Sequence, residues 1–245
     1  MTAMTVRQQA RVLTERYTAV MAGDWGTVLM LVAQAPFIGW LCTVAWASVE
    51  TDTVSLWFVL SLSAVWFGCI NGCREIVKER AILERERFFG LSLSAYVGSK
   101  YAVLAVIGLV QVLLLQFTVE WSLNLRGVMP VQTLALWGAS MCGTGLGLLV
   151  SAFSRAQARA VAALIPILLP QILFSEVAIP RESYTATVEA VEKLMPVYWC
   201  FRVFKEGAEM EPAWGVIVGS LAVLVGYAVG VGVLTTLALW PRREV

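Results

Sequence analysis

The sequence contains no histidine, so the side chain that most often serves as a general base or transition-metal ligand is missing from all 245 residues. Its five cysteines show no CxxC spacing, and four of them lie within apolar stretches. Cys69 and Cys73 are one helical turn apart without further ligand types nearby, so we interpret them as packing residues. These absences argue against a metal site, a disulfide framework or an intramembrane enzyme.

Charge is scarce as well. Charged residues make up 14% of the chain and hydrophobic residues 59%, and the mean hydropathy is +0.76. A soluble domain could not cover itself with polar surface at this composition, so the sequence indicates a membrane protein. The net charge of only +1 argues against nucleic acid as a partner.

The apolar residues are grouped into long runs. A bilayer core of about 30 Å is crossed by a helix of roughly 20 mainly apolar residues, and six segments of the chain qualify. They are 27–47, 54–73, 98–119, 131–152, 160–178 and 214–238. We therefore expect an all-α integral membrane protein in which residues 1–245 form a single domain of six transmembrane helices.

The distribution of Lys and Arg predicts the orientation of these helices. With the N-terminus in the cytoplasm, 13 of the 18 basic residues, including Arg242 and Arg243, lie on the cytoplasmic side. Short loops rich in Lys and Arg stay in the cytoplasm, so both termini are predicted to be cytoplasmic. The acidic turn at 48–53, which contains Glu50 and Asp52 and no basic residue, agrees with an external position.

Residues 1–24 precede the first predicted span. Leu13, Tyr17 and Val20 share one helical face, while Arg7 and Arg11 lie on another. This pattern predicts an amphipathic helix along the cytoplasmic membrane surface. A frayed, partly disordered terminus is the alternative.

Residues 179–213 form the longest predicted external segment. Six glutamates alternate there with aromatic residues, and three prolines divide the segment. Tyrosine and tryptophan favour the membrane interface, so we expect short helices packed on the outer end of the bundle. A solvated loop that only joins two spans is equally compatible with the sequence.

Polar residues are few within the predicted spans. Glu176, near the outer end of the fifth, is the only ionisable group expected inside them, which disfavours an ion-coupled carrier. Four glutamines are also buried in apolar sequence: Gln34, Gln111, Gln116 and Gln171. We interpret them mainly as hydrogen-bonding links between helices, with substrate contact as the alternative.

A strongly charged run follows the second predicted span. "REIVKERAILERER", residues 74–87, places nine charged side chains in fourteen positions. Its spacing predicts a solvated helix that continues the second span, with pairs such as Arg80 with Glu84. Two phenylalanines, Phe88 and Phe89, then precede Gly90. We call residues 74–97 the elbow, and its charged stem with an apolar end predicts a contact with another protein.

The elbow carries a resemblance to a known family. "REIVKERAILERERFFGLSLSAYVGSKYAVL" (74–104) resembles the intracellular loop of type-2 ABC exporter permeases of the G (White) subfamily. Three shorter stretches are similar to other parts of that family: "QAPFIGWL" (34–41), "FSEVAIP" (174–180) and "LMPVYWCFRVF" (194–204). Glu176 is a departure, because these permeases often have a small residue there.

The resemblance implies a membrane permease driven by ATP, in which the elbow docks on a nucleotide-binding subunit. The residues implied in this contact are Glu79, Arg80, Glu84, Arg85, Glu86, Arg87, Phe88, Phe89 and, from a second short loop, Arg155. The sequence has no phosphate-binding GxxxxGK[ST] motif, so ATP and Mg are expected on a separate ATPase chain and no cofactor in this one. A second permease copy, identical or homologous, is the other expected partner.

The resemblance also places the second and fifth spans at a central cavity. The residues implied to line it are Trp57, Phe58, Trp66, Phe67, Leu168, Gln171 and Ile172. Plain packing or lipid contact is the alternative for each of them. So apolar a cavity would suit amphipathic or lipid-like cargo.

Two function classes remain after this reading. The leading hypothesis is the permease subunit of an ABC exporter in the cell membrane, in contact with membrane lipid and most consistent with the bacterial cytoplasmic membrane. The alternative is a scaffold or signalling subunit that anchors an ATPase without moving cargo. In neither case is the chain itself expected to be an enzyme.

Overall fold

The computed structural model describes residues 4–49, 54–123 and 125–240. The described residues form eleven α-helices: α1 (Val6–Gly23), α2 (Trp25–Ala45), α3 (Val54–Gly72), α4 (Arg80–Phe88), α5 (Leu93–Glu120), α6 (Met129–Phe153), α7 (Gln157–Ala162), α8 (Ile165–Leu173), α9 (Ala186–Glu192), α10 (Pro196–Gly207) and α11 (Trp214–Ala238). Two 3-10 turns, Val77–Glu79 and Arg181–Ser183, lie between them. The predicted acidic turn at Glu50 and Asp52, and the basic pair Arg242 and Arg243, lie outside the described residues.

Five of the helices are long and apolar enough to cross a membrane: α2, α3, α5, α6 and α11. The prediction of an all-α integral membrane protein is thereby confirmed. Four of the five begin and end within two residues of the predicted spans. The exception is α5, which begins at Leu93, five residues before the predicted boundary, and so includes the last part of the elbow.

The fifth predicted span, 160–178, is not one continuous helix. It is divided into α7 and α8 by a turn at Ala163 and Leu164. Pro166 lies in the first turn of α8, where a missing backbone N–H costs nothing, whereas the same residue would break the interior of a longer helix. The two short helices are apolar but do not reach the length of a spanning helix, so the count of six spans stays a prediction.

The closest helix packing in the chain joins α3 to α6. A Cβ atom added to Gly68 would lie 1.9 Å from the Ser140 carbonyl oxygen, and one added to Gly143 would lie 2.1 Å from the Val65 carbonyl oxygen. Gly72 and Gly147 repeat this contact one turn towards the elbow. Four glycines therefore let two backbones touch, which is how membrane helices gain packing without a hydrophobic driving force.

Amide side chains link α5 to its neighbours. Asn71 on α3 donates to the Gln111 amide oxygen at 2.6 Å, and Gln111 donates to the Leu31 carbonyl of α2 at 2.6 Å. Gln116 accepts from the Thr133 hydroxyl of α6 at 2.6 Å. Gln111 and Gln116 thus form the interhelical bonds predicted for them, and Asn71 is a partner that the sequence analysis did not identify.

The segment 179–213 packs into the bundle at the end opposite the elbow, which we call the far end. Cys200, Phe201 and Phe204 of α10 are buried, and the Phe201 ring lies 6.4 Å from the ring of Phe58, one turn into α3. Since α3 begins at Val54, α10 inserts about 6 Å along that helix. Of the two readings of this segment, packed short helices describe the structure.

The glycine contacts between α3 and α6 predict a position-specific cost. Gly143→Ala places a methyl group against the α3 backbone, and such overpacking lowers the free energy of unfolding by about 1–3 kcal/mol. Gly219→Ala on α11 is the matched control, because the added Cβ atom there meets nothing within 4 Å. Thermal unfolding in lipid nanodiscs should show a lower midpoint for Gly143→Ala only. Equal midpoints for the two variants would contradict the packing described here.

Candidate functional site: the charged elbow

The elbow continues α3 within the helical stretch Val54–Phe88, as the sequence predicted, but with an interruption. Helix α3 ends at Gly72, and a turn at 73–76 leads into the 3-10 turn and then α4. The backbone leaves the helix because the N–H groups of Ile76 and Val77 both donate to the Ser151 hydroxyl on α6, at 3.0 and 2.9 Å. One buried hydroxyl therefore satisfies two backbone donors where the spanning helix is interrupted.

Arg80 attaches the first turn of α4 to the end of α6. Its guanidinium donates to the carbonyl oxygens of Ala152 at 2.6 Å and Ser154 at 3.0 Å. These carbonyls belong to the C-terminal end of a long helix, where backbone acceptors are unpaired and the dipole favours a cation. Within the described chain, the predicted ion pair of Arg80 with Glu84 does not form, since Arg80 is turned inward.

A buried cluster of charges lies beneath the elbow. Lys100 of α5 is 2% exposed; its ammonium nitrogen lies 2.7 Å from a Glu79 carboxylate oxygen and 3.7 Å from one of Glu75. Lys78 also pairs with Glu75, at 2.6 Å. Two cations thus face two anions, and the cluster is neutral as a whole. A single unpaired charge at this depth would cost several kcal/mol.

Two tyrosines complete this cluster. The Tyr17 hydroxyl of α1 donates to Glu75, and the Lys100 ammonium lies 3.6 Å from the centre of the Tyr17 ring, a cation–π contact. The Tyr96 hydroxyl donates to Glu79 at 3.2 Å. Burial, and then the neighbouring Glu75 carboxylate, raise the pKa of Tyr17, so its hydroxyl stays protonated and remains a donor. We call Tyr17, Glu75, Lys78, Glu79, Tyr96 and Lys100 the ion cluster.

Helix α1 also binds α4 and the residues that follow it. Arg16 pairs with Glu86, and this hydrogen bond raises the pKa of the Arg16 guanidinium. The Gln9 amide accepts from the Ser92 N–H at 2.8 Å. The buried face of α1 consists of Leu13, Tyr17 and Met21. Val20, which the sequence pattern placed on that face, is exposed. The buried residues are spaced by four positions, so the buried face continues from Tyr17 to Met21 and leaves Val20 outside it.

The apolar end of the elbow has no such contacts. Phe88 and Phe89 are 92% and 86% exposed; we call this pair the tip. Gly90 follows with φ = +86°, a conformation that favours glycine, and it reverses the chain towards α5. Two neighbouring phenylalanines in water are costly unless another surface covers them.

The sequence-predicted contact residues therefore divide into two groups. Glu79, Arg80 and Glu86 point inward and attach the elbow to the bundle, whereas exposed surface is formed by Glu84, Arg85, Phe88, Phe89 and Arg155, with Arg87 half-buried. Ser151, Tyr17 and Lys100 belong to the site but were not among the predicted contact residues. Lys100 also corrects the expectation that Glu176 is the only ionisable group within the spans. A lysine in an otherwise apolar helix was a usable signal.

The family comparison covers all of these elements. The profile of the ABC-2 type transporter family matches residues 8–207, from α1 through α10. The chain belongs to the ABC-2 type transporter family. As an ABC-2 permease it is the membrane subunit of an ABC transporter, and this family implies a partnership with an ABC ATPase subunit. Comparison with curated proteins gave no match.

The predicted cargo-path residues of the ABC-2 permease occupy two environments. Trp57, Phe58, Phe67, Leu168 and Gln171 are buried within the single chain. Trp66 on α3 and Ile172 on α8 are exposed, at 42% and 40%. A residue that touches cargo must be reachable, so these two are the members of the set best placed for that role. The role itself stays a prediction for all seven.

Two glutamates at the far end of the permease have pKa values shifted in opposite directions. Burial alone would raise the pKa of Glu176, but hydrogen bonds from Lys205 at 2.8 Å and Arg181 at 2.5 Å outweigh it and hold that pKa below its ordinary value. Glu192 is buried and accepts from the Tyr184 hydroxyl at 3.0 Å; burial raises its pKa. Glu176 thus stays a carboxylate in ion pairs at the position where the resemblance led us to expect a small residue.

The ion cluster predicts a strong effect of one lysine. Lys100→Met leaves the partly buried Glu79 carboxylate without its cation, and the cost of about 3–5 kcal/mol for removing one partner of a fully buried pair is the upper bound here. Lys193→Met breaks the exposed pair with Glu189 and should lower the stability far less, because exposed ion pairs contribute little. Thermal unfolding of both variants measures the difference. The double variant Lys100→Met, Glu79→Gln should recover part of the loss; no recovery would contradict direct pairing.

The buried Glu192 predicts a dependence on pH. Because its pKa in the folded protein lies above the ordinary 4.5, its stabilising contribution is complete below that pH and is lost as pH rises through the folded pKa. Glu192→Gln should therefore melt at a higher temperature than the unchanged protein at pH 7, with the gap closing towards pH 4.5. Glu189→Gln on the same helix is the control. Its pKa is lowered by Lys193, so it should show no gain at pH 7.

Proposed function

We propose that this chain is the permease of an ABC exporter whose separate ATPase subunit drives it through the elbow. The observation that carries the proposal is the contrast between the exposed tip and the attached stem. Phe88 and Phe89 face outward with almost no cover, while the residues just before them are bound to three different helices. A surface of this kind suits an aromatic contact at the centre of a protein interface.

The stem supplies a path for force. Motion of α4 acts on α6 through Arg80 and Ser151, on α5 through the Glu79–Lys100 pair and on α1 through Arg16. The α6 backbone in turn touches α3 at the four glycines. Nucleotide-driven movement at the tip therefore reaches four helices without passing through a flexible loop.

The exposed faces of α3 and α8 support a proposal for the cargo and for a second permease copy. We assign amphipathic or lipid-like cargo, since Trp66, Leu169 and Ile172 present apolar surface on α3 and α8. A second permease copy, identical or homologous, would turn those faces towards a shared cavity. ATP and Mg belong to the partner subunit in this proposal, and the bacterial cytoplasmic membrane is the proposed location. Proteoliposome transport that polar sugars inhibit and lipids leave unchanged would overturn the cargo assignment.

The alternative is a scaffold that anchors an ATPase without moving cargo. Attachment of the elbow to the bundle would serve that role as well. Substrate-stimulated ATP hydrolysis by the reconstituted complex discriminates between the two, because a scaffold has no cargo site whose occupancy could change the ATPase rate. Equal ATPase rates with and without fluorescent short-chain phospholipid, together with no transport of that lipid, would favour the scaffold.

The tip predicts that docking of the ATPase can be weakened without loss of permease stability. Phe88→Ser with Phe89→Ser removes two exposed aromatics, and a hot-spot aromatic contributes about 2 kcal/mol or more, which corresponds to about 30-fold in affinity. The affinity of the permease for the ATPase that co-purifies with it should fall by about that factor and lipid transport in proteoliposomes should fall with it, while the melting temperature of the permease stays unchanged.

A matched pair of phenylalanines provides the control. Phe37 and Phe117 are also exposed, but they lie on α2 and α5 away from the elbow. Phe37→Ser with Phe117→Ser should leave ATPase binding intact. If this pair weakens binding as much as the tip variant does, or if the tip variant binds and transports normally, the tip is not the docking surface.

A further inference from the structure

A groove on the side of the bundle contains no residue of the ion cluster, the tip or the predicted cargo path. It lies between α5, α6 and α11 and has a volume of about 730 Å³. Along α11 it extends from Leu221 to Thr236, which is about 22 Å at the rise of an α-helix. It reaches Ser94 at the elbow end and Leu134 towards the far end.

The lining of the groove selects against a polar occupant. The Tyr101 hydroxyl donates to the Ala228 carbonyl at 3.1 Å, and the Trp137 indole N–H donates to the Ala105 carbonyl at 2.9 Å. Both aromatic side chains thus have their polar atoms bonded within the protein and present hydrocarbon to the groove. A ligand that needed hydrogen bonds would lose its water without finding partners here.

The length of the groove suits a hydrocarbon chain. It exceeds the roughly 15 Å that one leaflet contributes to the hydrocarbon core.

The groove is continuous with the surface that faces the membrane. Val225, Val229 and Val233 of α11 line it and are themselves exposed, on a helix long and apolar enough to span the bilayer. The bilayer therefore supplies the occupant directly, and the groove opens at the elbow end near Ser94. We propose that it binds one acyl chain of a phospholipid from the elbow-side leaflet, as a resident lipid and not as cargo.

Two glycines permit a matched test. Gly98 lines the groove, and a Cβ atom added there meets nothing within 4 Å, so Gly98→Phe introduces a ring at the groove from a position where the first side-chain carbon fits. Gly230 on α11 is equally open but lies outside the lining. Gly230→Phe therefore adds the same side chain to the membrane-facing surface while the groove stays free.

Native mass spectrometry of the full chain, extracted in mild detergent from vesicles of phosphatidylethanolamine and phosphatidylglycerol, gives the readout. The unchanged chain and Gly230→Phe should each retain one phospholipid more than Gly98→Phe under the same collisional activation, with equal melting temperatures for the two variants. Equal retention by all three would overturn the proposal. Because neither ATP nor the ATPase is present, this result is independent of the proposed function.

A second measurement uses Trp137 and leaves the groove without a phenylalanine added at Gly98. The fluorescence of each tryptophan is obtained as the difference between the unchanged chain and its Trp137→Phe or Trp40→Phe variant. In vesicles of phosphatidylcholine brominated at mid-chain, bromine should quench the Trp137 fluorescence at least as strongly as the Trp40 fluorescence. Trp40 is exposed on α2, whereas Trp137 is half-buried. Weak quenching of the Trp137 signal would mean that no acyl chain enters the groove.

Discussion

The buried charge of Lys100 constrains the whole elbow end of the molecule. An ammonium group that is almost fully removed from water at the start of a spanning helix must be neutralised at short range, and the anions that do so come from the segment that leaves α3. Glu75 and Glu79 are therefore held under α5, and Tyr17 brings α1 to the same point. One electrostatic requirement thus joins three chain segments that are distant in sequence.

This requirement separates the elbow into two parts with opposite properties. The stem uses its charges internally: Arg80 binds the end of α6, Glu79 binds Lys100, and Glu86 binds Arg16. The tip leaves its apolar side chains exposed. A rigid stem under an uncovered tip can receive force from outside, and the closely packed glycines between α3 and α6 extend that rigidity into the membrane.

Sequence patterns predicted the helical elements well where length and composition decide them. The runs that became α2, α3, α6 and α11 were found with boundaries within two residues, because an apolar run of spanning length has few alternatives in a bilayer. The segment 160–178 was harder. Its apolar composition favoured one helix, but Pro166 and the turn before it divide it into α7 and α8.

The sequence by itself determined that this chain is helical, lies in a membrane and presents a charged elbow ending in two phenylalanines, because composition and local spacing carry that information. Only the tertiary structure decided which charges of the elbow face inward. Helical spacing suggested pairs along one helix, such as Arg80 with Glu84, yet Arg80 binds carbonyls of α6 and Glu79 binds a lysine of α5. Those partners are about 20 to 70 residues away in sequence, and a buried charge pairs with whatever the fold places within reach.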